Sequence, residues 1–170
     1  MLKSIEGNFD NPEVHEFLIK HFIELRSVSP EGSAHVLDIA GLKDPSIKFW
    51  SLWEENDLMG SGALKFLDED HGEFKSIRVS DNFRGKGNGT KVINHLINEA
   101  KKLNIKRLSL ETGAGDFFLT ARKLFIKCGF EPCEPFSHYK KDINSIYMTC
   151  LLYTSPSPRD RTRSRMPSSA

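Results

Sequence analysis

The segment that most constrains the fold is a glycine-rich turn between a strand-like run and a helical run. The turn reads Arg84-Gly85-Lys86-Gly87-Asn88-Gly89, and the strand-like run before it covers residues 74–79. Glycines in this arrangement leave backbone N–H groups uncovered at the positive end of the helix that they open. Arg84 and Lys86 add full positive charges to these partial ones. The turn therefore predicts a binding site for a diphosphate group.

The spacing of the glycines narrows the kind of diphosphate site. A P-loop requires Gly-Lys-Ser/Thr after its four intervening residues, and a dinucleotide fingerprint requires G-x-G-x-x-G after the first strand. Neither pattern is present in the turn, which lies in the middle of the chain. The pattern that matches is R-x-x-G-x-G directly behind a strand. It resembles the acyl-CoA loop of the GNAT N-acetyltransferase superfamily, although a glycine-rich strand-to-helix turn without a ligand remains the alternative.

A second segment strengthens the resemblance to the GNAT superfamily. Residues 121–130 read Ala-Arg-Lys-Leu-Phe-Ile-Lys-Cys-Gly-Phe, which is similar to the A-x-x-L-Y-x-x-x-G-F helix of that family. An amphipathic helix and a strand lie between the two motifs, in the family's order. The resemblance covers roughly residues 47–149.

The hydrophobic periodicity agrees with the fold that this resemblance implies. Apolar spacing and turn residues predict the element order β-α-α-β-β-β-α-β-α-β-β. Asn11 and Pro12 open the first helix, which ends before Ser29 and Pro30. A second predicted helix covers residues 34–42, a third starts directly at the glycine turn and runs to about residue 103, and a fourth covers 117–128. The strands cover 1–9, 47–54, 58–67, 73–79, 106–112, 130–133 and 145–149. The predicted class is α/β (α+β): a mixed, mainly antiparallel sheet flanked by helices, with a splayed central strand pair.

Composition limits the class of protein. With 38% hydrophobic and 28% charged residues among 170, the chain has the composition of a soluble globular protein with one domain, predicted over residues 1–149. No apolar run reaches the length of a membrane span. The three cysteines form no C-x-x-C pair and have no histidine at metal-ligand spacing. We therefore expect a cytoplasmic protein with no metal and no membrane partner.

The last twenty-odd residues differ from the rest of the chain. From Cys150 the sequence is rich in Ser, Pro and Arg, as in a disordered basic tail. Its back-translation, however, resembles a transposase-type sequencing adapter. We interpret residues 150–170 as read-through of such an adapter, which implies a non-native, disordered tail and the loss of the natural C-terminus. Without residues 151–170, which hold four Arg and one Asp, the net charge is −2, so nucleic acid is not expected as a partner.

The resemblance implies specific acetyl-CoA contacts. The backbone around Ile77 and Val79 would pair with the pantetheine arm as a strand does. The diphosphate would lie on the turn and the start of its helix, which comprise Arg84, Gly85, Lys86, Gly87, Asn88, Gly89 and Thr90. The thioester would lie near Phe118 and Phe125. These two residues stand where the family often has Asn and Tyr, and that Tyr usually protonates the leaving thiolate.

Glu73 is the candidate general base. Strand alternation places it on the same face as Ile77 and Val79, and the family often carries a base near this position. A carboxylate needs an apolar environment to act as a base at neutral pH. A solvated glutamate at a strand edge is the alternative interpretation, and His71 and Glu111 are the other candidate bases. Tyr139 is a candidate hydroxyl for the thiolate, or else an ordinary loop tyrosine.

Three hypotheses for the function follow. The first is transfer of an acetyl group from acetyl-CoA to a primary amine of a small molecule, by direct attack on the thioester. The second is a catalytically silent acyl-CoA sensor, suggested by Phe118 and Phe125. The third is a protein or peptide N-acetyltransferase. A nucleotide-binding protein is a more distant alternative. A homodimer is possible, since dimers are common in this superfamily.

Overall fold

The structure, a computed structural model, describes residues 2–28 and 38–152. Part of the predicted second helix, residues 34–37, and most of the predicted tail, residues 153–170, lie outside the described residues. The described elements follow the predicted order. The strands are β1 (Leu2–Glu6), β2 (Ile47–Glu54), β3 (Asp57–Phe66), β4 (His71–Val79), β5 (Arg107–Gly113), β6 (Glu131–Cys133) and β7 (Ser145–Leu151). The helices are α1 (Pro12–Val28), α2 (Ile39–Leu42), α3 (Asn88–Lys102) and α4 (Leu119–Lys127), with short 3₁₀ turns at Asp81–Phe83 and Asp116–Phe118.

One mixed sheet organises the fold. Its strand order is β1-β2-β3-β4-β5-β7-β6, and every neighbouring pair is antiparallel except β4 and β5. The parallel pair is joined at only three positions, where His71, Gly72 and Glu73 face Arg107, Leu108 and Ser109. Beyond Glu73 the two strands separate. The predicted class, a mainly antiparallel sheet with a splayed central pair, is confirmed.

Helix α1 covers one face of the sheet. The Asn11 side chain accepts hydrogen bonds from the backbone N–H groups of Glu13 and Val14, at 2.9 and 3.2 Å, and so caps the helix. Apolar residues at three- and four-residue spacing then bury one side of the helix. These residues, Val14, Leu18 and Phe22, form a cluster with residues of α2, β2 and β3.

Helices α3 and α4 cover the opposite face. The buried side of α3 consists of Val92, Ile93, Leu96, Ile97 and Ala100, all of which join the larger core cluster. Helix α4 ends at Lys127. Gly129, two residues further on, has a φ of 104°, the left-handed conformation that favours glycine just after a helix end.

A β-bulge in β4 overturns one predicted detail. Ser76 has a φ of 55°, and Ser76 and Ile77 together stand opposite Gly62 in β3. The extra residue reverses the alternation of side chains along the strand. Ile77 and Val79 consequently pack against the α3/α4 core. Glu73 lies opposite Lys65 and points to the other face, so the expectation that it shares a face with Ile77 and Val79 is wrong.

The sheet extends beyond residue 149. Strand β7 ends at Leu151, and the N–H of Leu152 donates to the Lys106 carbonyl at 2.7 Å. Leu152 is buried in the core. Residues 150–152 are therefore part of the described sheet and core, and the domain boundary at residue 149 stays a prediction.

Candidate functional site

The candidate site is a cleft between the separated strands β4 and β5. Its volume is about 710 Å³. On one face of the sheet, the cleft is lined by residues of α1 and by the β4 side chains that point toward α1. On the other face, it is lined by the glycine turn, α3 and α4. The cleft thus passes through the sheet, so two ligands can approach the same point from opposite faces.

The glycine turn forms the α3/α4 side of the entrance. Gly85, Lys86 and Gly87 have successive φ angles of 81°, 59° and 79°. A side chain on Gly85 or Gly87 would meet nothing within 4 Å, so the positive φ angles rather than crowding favour glycine at these two positions. Helix α3 begins immediately, at Asn88. Its N-terminus and the turn present backbone N–H groups suited to an anion.

Two residues of the predicted phosphate set shape the turn. The Asn88 side chain donates to the Phe83 carbonyl at 2.8 Å, which fixes the turn against the preceding 3₁₀ segment. Gly89 is buried, and a Cβ there would lie 2.6 Å from Leu124 Cδ1. Glycine at 89 therefore lets α3 approach α4 closely. These contacts give both residues a structural role in addition to any contact through their backbone.

The cations of the turn are exposed. Lys86 faces solvent, and Arg84 is about half exposed, with its Nε 3.2 Å from Asp81. Thr90 has a buried Oγ1 with no hydrogen-bond partner among the described residues. These groups surround the start of α3, where the diphosphate site is predicted.

The deep wall of the cleft is apolar. Phe118 and Phe125 both line it. The Phe118 ring occupies the space that a side chain on Gly113 would need, since a Cβ there would lie 2.1 Å from the ring. Phe125 is buried and contacts Phe130 edge-on at 5.6 Å. Phe118 and Phe125, which stand where the GNAT family often has Asn and Tyr, thus make this wall apolar.

Glu73 lies where β4 leaves β5. Its side chain is 1% exposed, and its Oε2 accepts hydrogen bonds from Tyr139 Oη at 2.6 Å and from Lys75 Nζ at 3.2 Å. Lys75 Nζ also contacts Tyr139 Oη, at 3.1 Å. The three residues form a closed triangle on the α1 face of the sheet, and the alternative of a solvated edge glutamate does not fit this burial.

The second oxygen of Glu73 is unused. Oε1 is buried and has no hydrogen-bond partner among the described residues, although an unsatisfied buried acceptor costs about 1–3 kcal/mol. Burial raises the pKa of Tyr139 well above its usual range, and the Glu73 carboxylate adds to the effect. Tyr139 therefore stays protonated and donates to Oε2, which leaves Oε1 as the basic atom.

The other two candidate bases have different surroundings. His71 begins β4, and its Nε2 lies 2.8 Å from Ser109 Oγ. Burial lowers the pKa of His71. Glu111, on β5, lines the cleft and accepts a hydrogen bond from Ser145 Oγ at 2.8 Å. Of the three, Glu73 combines burial, a place in the cleft wall and an unpaired oxygen.

Sequence reasoning missed three residues of the site: Lys75, His21 and Arg78. His21 lies among the apolar residues of α1 and is 4% exposed. Its Nδ1 is 3.3 Å from Arg78 Nη1, and Arg78 also pairs with Glu24. Burial, reinforced by the Arg78 charge, lowers the pKa of His21 to about 4. No local signal marks these residues, because α1 and β4 are far apart in the sequence.

Comparison with known proteins identifies the type of domain. A sequence profile described as the acetyltransferase (GNAT) family matches residues 12–130. The chain is 45% identical over 137 residues to YsnE of Bacillus subtilis, called an uncharacterized N-acetyltransferase, across 81% of this chain and 91% of the relative. It is 38% identical over 142 residues to YedL of Escherichia coli, also called an uncharacterized N-acetyltransferase, across 84% and 89%.

A solved structure has a similar fold. The crystal structure of a Bacillus subtilis acetyltransferase in complex with CoA superposes with a TM-score of 0.65 at 20% identity, across 90% of this chain and 100% of that one. Among the described residues, no group of three or more His, Cys, Asp or Glu side chains is arranged to hold a metal ion. None of the described helices combines the length and the apolarity of a membrane span.

The diphosphate assignment makes a first prediction. Arg84→Ala should weaken CoA binding by about 1–3 kcal/mol, because it removes a charge-assisted contact with a phosphate. Isothermal titration calorimetry measures the change. Lys91→Ala, which removes an exposed cation one turn further along α3, is the matched control and should bind CoA normally. Equal affinities for the two variants would contradict the assignment.

The buried histidine makes a second prediction. Since His21 has a pKa of about 4 in the folded chain and about 6.5 when unfolded, protons favour the unfolded state. Above pH 6.5, titration of His21 should leave the free energy of unfolding unchanged. As the pH falls from 6.5 to 4, that free energy should decrease by up to about 3 kcal/mol. Urea unfolding should show a smaller loss for His21→Gln than for the wild type. His15→Gln, at an exposed position of the same helix, should behave as the wild type. The argument would be refuted if the free energy of unfolding of His21→Gln fell with pH as steeply as that of the wild type.

Proposed function

Because the chain belongs to the acetyltransferase (GNAT) family and is an N-acetyltransferase with acetyl-CoA as its donor, we propose that its acceptor is a primary amine of a small molecule. The observation that carries the proposal is the buried, unpaired Oε1 of Glu73 in the cleft between β4 and β5. A buried base in the cleft wall, at the point where two strands separate, suits removal of a proton from a bound amine.

The two faces of the cleft suggest how the substrates are arranged. The diphosphate of acetyl-CoA binds the glycine turn on the α3/α4 side. Pantetheine lies along the part of β4 that β5 leaves unpaired, with Ile77 and Val79 contributing backbone groups. The amine enters from the α1 side, where Glu73 and Lys75 project. The thioester then lies between the two entrances.

The transfer itself is a direct attack. A primary amine has a pKa near 10 and is protonated at neutral pH, so it must lose a proton before it can react. Glu73 Oε1 accepts that proton, while Tyr139 and Lys75 hold Oε2 in place. The neutral nitrogen forms a bond to the thioester carbonyl carbon, and the carbon–sulfur bond breaks. The nitrogen then gives a second proton to water as the neutral amide forms.

Protonation of the leaving sulfur has a separate source. The wall near Phe118 and Phe125 is apolar, and the Tyr139 hydroxyl donates to Glu73. The raised pKa of Tyr139 also makes it a weak acid. A thiol has an ordinary pKa near 8.5, so its thiolate is a stable leaving group. We therefore assign its proton to water and assign Tyr139 a positioning role.

A catalytically silent acyl-CoA sensor is the second candidate. Phe118 and Phe125 favour it, because they remove the polar groups that the family often places near the thioester. The triangle of Glu73, Tyr139 and Lys75 favours transfer, since a sensor has no use for a buried, unpaired carboxylate oxygen. Release of CoA thiol from acetyl-CoA in the presence of amines distinguishes the two candidates.

The role of Glu73 makes a third prediction. Glu73→Gln keeps the size of the side chain but removes its basicity, so kcat should fall about 100-fold, most strongly below pH 8 where fewer amines are already neutral. Thiol release measured from pH 6 to pH 10 gives the profile. CoA affinity should not change. Glu69→Gln, in the exposed turn before β4, is the control. A variant at position 73 that keeps the wild-type rate at every pH would exclude Glu73 as the base.

A further inference from the structure

His21 has an unused hydrogen-bond donor in the cleft. Arg78 Nη1 lies 3.3 Å from His21 Nδ1, and a guanidinium has donors but no acceptor. Nδ1 of His21 must therefore be the acceptor of this hydrogen bond. In a neutral imidazole the proton then lies on Nε2. The low pKa of His21, about 4, agrees with a neutral ring.

The Nε2 donor of His21 points to a ligand. The ring is 4% exposed, His21 belongs to the cleft wall, and Nε2 has no hydrogen-bond partner among the described residues. A buried donor without an acceptor is unfavourable, and a ligand oxygen removes that cost.

The charge around His21 selects the kind of oxygen. Arg78 is buried, lines the cleft and touches the imidazole. Glu24 of α1 pairs with it, and Asp81 Oδ1 lies 3.8 Å from its Nη2. Neither carboxylate is among the described residues that line the cleft. On its cleft side the pair therefore presents an imidazole N–H and a guanidinium. Such a combination suits a carboxylate.

The other end of the same face suits an amine. Glu73 and Glu111 both line the cleft there, and Glu73 Oε1 is an unpaired acceptor. Lys75 offsets one of the two negative charges through its contact with Glu73 Oε2. Acceptors thus lie at the point where the strands separate, and donors lie further along β4 at Arg78.

We propose that the acceptor substrate is an amino-carboxylate, with its amine at Glu73 and its carboxylate held by the His21 Nε2–H beside Arg78. The proposal rests on the proposed function, which it narrows from primary amines in general to amines that carry a carboxylate. His21 is a specificity-determining residue in this account and takes no part in the chemical step.

Matched pairs of amines test the proposal. Lysine and cadaverine, ornithine and putrescine, and tyrosine and tyramine differ within each pair by one carboxylate. The wild-type chain should favour the carboxylated member of at least one pair by roughly 10- to 100-fold in kcat/KM. His21→Leu should abolish that preference by raising KM for the carboxylated member, so that the two members of each pair have similar kcat/KM values.

Two variants serve as controls. His21→Gln keeps a side-chain N–H and should restore part of the preference, whereas His15→Leu, on the exposed side of α1, should keep all of it. Because the preference is a ratio measured on one protein, partial unfolding of His21→Leu lowers both rates and leaves the ratio interpretable.

The outcomes separate the two proposals. Transfer to amines with no preference for a carboxylate in any pair would overturn the inference and leave the proposed function standing. A preference that survives in His21→Leu would also overturn it. Binding of acetyl-CoA without transfer to any of the six amines would contradict the proposed function itself.

Discussion

The structure depends on the separation of β4 from β5. Two parallel strands normally continue their hydrogen bonds along their shared length, but here the ladder ends at Glu73 and Ser109. The bulge at Ser76 turns the rest of β4, and the apolar rings of Phe118 and Phe125 occupy the far wall. A cleft through the sheet results, with one entrance at the glycine turn and the other at α1.

The same separation explains the buried polar groups. In a continuous sheet, the β4 residues from Glu73 to Arg78 would face a neighbouring strand or a packed helix. In the cleft, buried groups of β4 and of α1 retain unused hydrogen-bonding capacity: Oε1 of Glu73, on β4, can accept, and Nε2–H of His21, on α1, can donate. Tyr139 and Lys75 donate hydrogen bonds to Oε2 of Glu73, and the contact with Arg78 fixes the tautomer of His21. The α1 side of the cleft is therefore already ordered before a ligand binds, which lowers the entropic cost of positioning that ligand.

Much of the fold and half of the site follow from the sequence. The periodicity of α3, the Asn11 cap of α1 and the R-x-x-G-x-G turn are local patterns, so each element could be predicted from neighbouring residues. The diphosphate site on that turn stays a prediction. The bulge at Ser76 could not be predicted, because no Gly or Pro marks it, and it reverses the face of every later β4 residue. The partners of Glu73 were also hidden, since Tyr139 is 66 positions away. Tyr139 was a candidate for the thiolate, and only the three-dimensional contact with Glu73 suggests its positioning role.

Amide hydrogen exchange along β4, with and without acetyl-CoA, tests the central claim most directly. The account holds that acetyl-CoA fills the gap between β4 and β5 and pairs with the free edge of β4. Acetyl-CoA should therefore slow exchange in residues 74–79 as well as in the glycine turn, because new hydrogen bonds form on that edge. Slower exchange in the turn alone, with residues 74–79 unchanged at saturating acetyl-CoA, would contradict the account.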